Sequence, residues 1–222
     1  MEKAGTSASS SCTAGDGPWL VVTGGEGPRT RPPFRYSRIV ACDSGYDTAC
    51  SLGIDVDDVV GDLDSSSLRE RLIARGVVPC PHDKDETDTE LGLMRIPAGC
   101  AYDLAGGGGG RVDHLVSILQ LFRRYGMPRF WFTGSDVLVS IDGMRRFHLP
   151  LDTSISFFAL DREAVVECPD MVWPLDRFVL DDEHISLSNR NTREDFVVRT
   201  SARVFARIDA GCFENGPTDI II

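Results

Sequence analysis

Short apolar runs that halt at glycine or aspartate recur through the first two-thirds of the chain. Trp19-Leu-Val-Val-Thr23 stops at Gly24-Gly25, Ser37 to Cys42 stops at Asp43-Ser44-Gly45, and the brief Asp58-Val-Val60 stops at Gly61-Asp62. Runs this short, bounded by turn residues, read as buried strands. Helical patterns lie between them. A short helix is expected through 48–52, and an amphipathic one over 66–75 presents Leu68, Leu72 and Ile73 on one face and stops at Gly76. Val77-Val78 reads as a returning strand. Thr87-Asp-Thr-Glu90 has the spacing of a capping box, which predicts a helix from Asp88 to near Ile96, ended by Pro97. A strand over 101–105 leads into five glycines, 106–110. A helix over 112–125 follows, with Leu115, Ile118, Leu119 and Phe122 at helical spacing, and then a strand over 129–133. This alternation predicts a three-layer α/β domain with a mostly parallel sheet.

The pattern changes near Arg146. From there the chain offers β-like segments at 154–160, 164–168, 177–180, 184–187, 195–200 and 203–208, separated by turns rich in Asp, Pro, Asn and Arg. That is the pattern of a smaller antiparallel β-sandwich. The expected division is a disordered, Ser- and Gly-rich tail over 1–17 without a signal-like apolar segment, an α/β domain over 18–146, and a β-sandwich over 147–222.

With 23 Lys and Arg against 34 Asp and Glu, the net charge is -11. This argues against a broad nucleic-acid footprint and leaves a small nucleotide open, because local dipoles and a metal bind a small anion. No apolar run is long enough to span a membrane. The seven cysteines (12, 42, 50, 80, 100, 168 and 212) form no Cys-x-x-Cys pair and no zinc spacing, so free thiols in a reducing cytoplasm are expected.

Two acidic clusters carry the chemistry. In Asp62-Leu63-Asp64, alternate residues of an extended segment point the same way and bring two carboxylates to one cation. In Lys84-Asp85-Glu86-Thr87-Asp88, a third carboxylate sits in the first turn of a capped helix with a lysine four residues before it. Hard oxygen donors of this kind suit Mg²⁺. The glycine run permits close backbone approach to a ligand, and Arg111 at the head of the next helix is placed to clamp a phosphate. The run is not a P-loop, since no Gly-Lys-Ser/Thr follows. His82, His148 and His184 are isolated and read as structural or exposed.

Four segments in order, Asp43-Ser-Gly-Tyr-Asp47, Gly61-Asp-Leu-Asp-Ser65, Lys84-Asp-Glu-Thr-Asp88 and Gly109-Gly-Arg-Val-Asp-His114, resemble the thiamine pyrophosphokinases. Trp173-Pro-Leu with Leu187-Ser-Asn189 adds a weaker fifth. The resemblance covers about residues 19–208 and leaves out the tail and the Arg/Pro loop at 28–33. It departs from the family's usual residues at Tyr46, Leu63, Ile118 and Arg190, where Ala, Phe, Asn and an acidic residue are common.

The resemblance implies a homodimeric, cytoplasmic enzyme using Mg²⁺. Such an enzyme transfers pyrophosphate from ATP to thiamine and releases AMP, in sites shared between the α/β domain of one subunit and the sandwich of the other. Carried over by motif, Asp62, Asp64 and Asp88 would hold the metal and, with Arg111 and Asp113, form the catalytic set. Asp43, Ser65, Lys84, Asp85, Thr87, Arg111 and His114 would meet ATP. Lys84, Trp173, Ser188 and Asn189 would meet thiamine. Two rivals are a phosphatase of the haloacid dehalogenase type, whose nucleophile loop Asp62-Leu-Asp-Ser65 resembles, and a sensing module without turnover. In those phosphatases the motif closes the first strand, whereas here it closes the third.

Overall fold

The computed structural model describes residues 17–213. The expected tail, except Gly17, and residues 214–222 of the expected sandwich lie outside the described residues. In chain order the elements are β1 (Trp19–Val22), β2 (Arg38–Cys42), α1 (Gly45–Ser51), β3 (Asp58–Val60), α2 (Arg69–Ala74), α3 (Asp88–Met94), β4 (Tyr102–Ala105), α4 (Val112–Tyr125) and β5 (Phe130–Phe132). Strands alone follow up to a closing 3-10 turn: β6 (Asp136–Ile141), β7 (Met144–His148), β8 (Ser154–Phe158), β9 (Ala164–Cys168), β10 (Leu175–Leu180), β11 (Ser186–Arg190), β12 (Asp195–Thr200) and β13 (Val204–Asp209).

Nine strands form one sheet in the order β11-β8-β13-β6-β5-β4-β1-β2-β3. The stretch from β3 to β5 is parallel, and everything from β6 outward is antiparallel. A second, antiparallel sheet has the order β10-β9-β12-β7. The pleat divides the apolar residues of β1 between two cores. Leu20 and Val22 face a cluster that includes Ala49 of α1, while Val21 faces Leu93 of α3 and Ile118, Leu121 and Phe122 of α4. The first cluster runs on between the two sheets, joining Val139, Ile155 and Phe157 to Phe147, Val166 and Val198. Phe147 and Phe196 stack there with centroids 5.3 Å apart.

Several expectations hold to the residue. Helix α4 spans 112–125 and ends at Gly126, whose φ of 86° allows the chain to leave the helix. Others do not. Val77-Val78 forms no strand, and Val78 is exposed. β6 and β7 were not foreseen; the chain turns at Asp142-Gly143 from β6 in the nine-stranded sheet to β7 at the edge of the second sheet, and the division expected at 146 falls inside β7. The strand expected over 184–187 lies at 186–190. Five cysteines are free (42, 50, 80, 168 and 212), but Cys100 is disulfide-bonded, so free thiols throughout is incorrect.

One buried charge ties the Arg/Pro loop's exit to the sheet. Asp103 of β4 is fully buried and accepts from Arg129 Nε at 3.0 Å and Nη2 at 2.7 Å, from Tyr36 Oη at 3.0 Å and from the Phe130 amide at 3.2 Å. Arg129 also lies over the rings of Phe34 and Phe130. Asp103→Ala leaves a guanidinium, a phenol and an amide without their acceptor. Because the Arg129 side chain is one-third exposed, the loss should sit at the low end of the range for broken buried pairs, about 3 kcal/mol. A shift of the urea midpoint corresponding to less than about 1 kcal/mol, the net value of an ordinary hydrogen bond, would contradict this account.

Candidate active site

The parallel strands all deliver their carboxyl ends to one edge of the sheet, the edge where open α/β sheets bind ligands. β2 leads directly into Asp43, β3 into Gly61-Asp62, β1 into Thr23 and β4 into Gly106. β1 is central, and the chain leaves it first to β2 and later to β4 on its other side. The edge beside β1 is therefore a switch point.

At β2 and β3 the acidic residues converge. Gly61 has a φ of 125°, and a Cβ there would lie 3.0 Å from Asp88 Oδ1 and 3.2 Å from Asp43 Cβ. Only glycine lets these two aspartates approach across the strand end. Asp62 and Asp64 do not converge as alternate residues of a pleat. Leu63, fully buried, takes a positive φ of 62°, and the Asp64 amide donates to Asp62 Oδ1 at 3.2 Å. A tight turn, rather than an extended segment, turns both carboxylates to the same place. Thr87 caps α3 as the capping box predicts, its Oγ1 accepting from the Glu90 amide at 3.1 Å.

Lys84 bridges the two clusters, with Nζ 3.1 Å from Asp88 Oδ1 and 3.6 Å from Asp62 Oδ2. Burial pushes the Asp62 carboxyl up, but the Asp64 amide, His82 and Lys84 outweigh it and hold Asp62 below the usual carboxylate range. Asp43 goes the other way. Burial raises it, the Ser44 amide offsets this only in part, and the charges of Asp88, Asp64 and Asp62 raise it further. Asp43 Oδ1 is buried without a hydrogen-bond partner. His82, expected to be isolated, has Nδ1 2.7 Å from Asp62 Oδ2. No spacing rule links 82 to 62; only the turn at 61–64 and the loop that follows bring them together.

The remaining expected residues are spread more widely. Gly106 to Gly110 packs on the Gly24-Gly25-Glu26 loop through hydrogen bonds from the Gly107 and Gly108 amides. Arg111 and Asp113 are exposed and pair with each other, Nε to Oδ1 at 3.1 Å, and His114 is exposed beside them. Asp85 is exposed, and Ser65 donates to Asp64 Oδ1 at 2.9 Å. Trp173, Ser188 and Asn189 lie together near the β10–β11 end of the molecule. Trp173 is 58% exposed, with the Arg190 guanidinium 5.8 Å from its ring centroid. Asn189 is buried, and its amide is occupied: Oδ1 accepts from the Trp173 and Arg190 amides, and Nδ2 donates to the Trp173 carbonyl. It fixes the backbone beneath Trp173, leaving the ring and Ser188 exposed. The Arg/Pro loop lines a separate pocket of about 200 Å³ with Phe132, Thr133, Ser135 and Asp209, which Asp43, Asp62, Asp64 and Asp88 do not line.

Residues 35–130 match the family model described as thiamin pyrophosphokinase, catalytic domain. Among solved structures, a thiamin pyrophosphokinase family protein from Enterococcus faecalis aligns with a TM-score of 0.68 at 23% identity, covering 86% of this chain and 98% of that one. Thiamine pyrophosphokinase from Bacillus subtilis aligns with a TM-score of 0.66 at 19% identity, covering 86% and 98%. The Candida albicans enzyme gives 0.62 at 14%, covering 86% and 89%. At these identities the likeness is one of fold: a mixed α/β chain with a parallel-rich sheet and a separate antiparallel sheet. A comparison with curated protein sequences finds no match.

The raised Asp43 carboxyl gives a pH test in metal-free protein. A carboxyl raised on folding destabilises the fold fully above its raised folded value, and the cost disappears once pH falls below the unfolded value. Asp43→Asn should therefore stabilise the metal-free protein at pH 7, with the gain vanishing as pH drops below the ordinary carboxylate range. Urea unfolding at pH 7 and below the ordinary carboxylate range measures both; a variant less stable than wild type at pH 7 contradicts the assignment.

Proposed function

Taking as premise the thiamine pyrophosphokinase family, which the match over 35–130 and the shared fold support, we propose that this chain transfers the pyrophosphoryl group of ATP to the hydroxyl of thiamine. The products are thiamine diphosphate and AMP. The observation that carries the reading is the meeting of Asp43, Asp62, Asp64 and Asp88 around Lys84 at the ends of β2 and β3.

These residues fit Mg²⁺. They are hard oxygen donors, they repel one another, and two buried oxygens, Asp43 Oδ1 and Asp88 Oδ1, make no hydrogen bond. On this reading Asp62, Asp64 and Asp88 hold the ion. When bound, Mg²⁺ supplies neutralisation of phosphate charge as the bond to the β-phosphorus changes. The chain's own residues supply the positioning that dominates phosphoryl-transfer catalysis. Lys84, already directed at this point, balances charge on the β-phosphoryl oxygens. Arg111 exchanges Asp113 for a phosphate and uses its planar fork. Backbone amides at the head of α4 and at the far end of the glycine loop, beyond the bonded Gly106 to Gly108, donate to the nucleotide's phosphate oxygens beside the switch point. The thiamine oxygen bonds to the β-phosphorus, the bond to the α,β-bridging oxygen breaks, and AMP departs.

The helices on both faces of the parallel strands are then the outer layers of a three-layer domain, and the packed antiparallel sheets form the sandwich that binds thiamine. The enzyme on this reading is cytoplasmic and homodimeric. Among the described residues, no helix is long and apolar enough to cross a membrane. Val172, Trp173, Ile185 and Leu187 are exposed apolar residues around the Trp173 loop. A second subunit's α/β domain would cover them and bring ATP to thiamine stacked on Trp173.

Incubation with ATP, thiamine and Mg²⁺ should yield AMP and thiamine diphosphate in equal amounts, and EDTA should stop it. Asp62→Asn should lose most turnover while remaining folded. Release of inorganic phosphate from simple phosphomonoesters without AMP would instead favour a phosphatase.

The shared site has its own test. Asp62→Asn and Trp173→Ala are each expected to be inactive alone. A mixed dimer holds one site with both defects and one with neither, so at equal amounts and random exchange about a quarter of all sites should be intact. If subunit exchange is shown by mass spectrometry and no activity returns, each subunit builds its own pocket.

A further inference from the structure

His82 sits on the loop between α2 and α3, and its side chain is 80% exposed. Exposed imidazoles ordinarily reach into water. This one folds over the acidic turn, with Nδ1 2.7 Å from Asp62 Oδ2 and 3.4 Å from Asp64 Oδ2. One donor atom from each of Asp62, Asp64 and His82 lies within 4.8 Å of the others. A second observation separates this group from an ordinary surface pair. Asp43, only 7% exposed, stands against the same cluster with Oδ1 unpartnered, although the charges of Asp88, Asp64 and Asp62 all oppose its ionisation. A buried carboxylate oxygen without a donor, enclosed among other carboxylates, marks a place built for a cation.

We propose that His82 supplies an imidazole nitrogen to the divalent ion held by Asp62 and Asp64, so that the site favours a first-row transition ion such as Mn²⁺ or Co²⁺ over Mg²⁺. The inference rests on the metal reading above and adds the donor that sets which ion is preferred. An all-oxygen set suits Mg²⁺, which is small, hard and slow to shed water. Imidazole adds a softer ligand, and affinity for such mixed sites rises along the first-row series from Mn²⁺ to Co²⁺. Ion binding replaces the Asp62–His82 hydrogen bond with two ligand bonds, and the ring's remaining proton resides on Nε2. A histidine that only oriented Asp62 would strengthen the binding of every ion alike.

The test uses the full chain with metal alone and no nucleotide. Mn²⁺ is titrated by electron paramagnetic resonance, Co²⁺ by visible absorption, and Mg²⁺ by competition against Mn²⁺. His82→Gln, at an exposed position, should leave the fold intact. It should weaken Mn²⁺ and Co²⁺ about tenfold or more, the low end of what disturbing a metal-binding set produces, and Mg²⁺ by less than about twofold. Pulsed resonance on bound Mn²⁺ should show nitrogen coupling in wild type and none in the variant. Equal weakening of all three ions, or no nitrogen coupling in wild type, overturns the proposal. Asp62→Asn separates the two readings. If it leaves ion binding unchanged, the metal site itself is wrong. If it abolishes binding while His82→Gln leaves the preference among ions unchanged, only the role of His82 fails.

Discussion

Repulsion among the carboxylates at the ends of β2 and β3 is the constraint to which this part of the fold is adjusted. Without a bound cation, Asp43, Asp62, Asp64 and Asp88 share one lysine, one imidazole and a few backbone amides. The chain tolerates this because the surroundings are rigid and apolar. Leu63 is driven into the core with Tyr46 and Leu72, anchoring the acidic turn from below. Helix α3 sits so close to β2 that a Cβ at Gly92 would lie 2.3 Å from Cys42 Sγ. That closeness brings Asp88 over Gly61. Packing supplies the favourable free energy, and the polar edge is arranged at its expense, as is usual where a site is built for a ligand.

The topology explains why the edge can do two jobs at once. Crossing from β3 to β4 along the sheet, side chains give way to backbone. The acidic residues are at β2 and β3; at β1 and β4 the chain presents Thr23, Gly24, Gly25 and the run from Gly106. At Gly106, with a φ of 100°, a Cβ would lie 2.2 Å from the Thr23 carbonyl oxygen. The two loops therefore interlock through main chain, with the Gly107 and Gly108 amides donating to the Gly24 and Glu26 carbonyls. On the proposed reading, carboxylate ligands for a cation on one side of the switch point and backbone loops on the other would be the two halves of a metal–phosphate site.

Much of this was legible in the sequence, and the failures have physical causes. Helix α4 and the cap at Thr87 were recovered because both are local: amphipathic spacing in one case and a four-residue capping pattern in the other. The meeting of Asp62 with Asp64 was foreseen for the wrong reason, since a buried leucine at positive φ is a tertiary outcome that propensity disfavours. β6 and β7 went unseen because Asp136 to Ile141 is only half-alternating, and one of its two partners, β13, lies 63 to 73 residues away. His82 was dismissed because nothing local marks an imidazole whose partner is twenty residues back. Asn189 carried a motif's signal, yet what the fold asks of it is to hold the backbone of Trp173.

Arg111 shows how a weak interaction serves a site. Its bond to Asp113 is two residues long, at the exposed head of α4, with both side chains mostly in water. Such a pair contributes little to the fold, because solvent screens it and two flexible side chains must be ordered to form it. The pair nevertheless fixes the resting direction of the guanidinium at the head of α4. On the proposed reading, a phosphate beside the glycine loop would offer the same planar fork a doubly charged partner at the head of α4. The exchange would then run from a screened contact to a reinforced one. Lys84 differs: its side chain is only 13% exposed and it touches two carboxylates. In the proposed reaction, the exposed Arg111 would be loose enough to move to the substrate, while Lys84 would stay fixed beside the carboxylates.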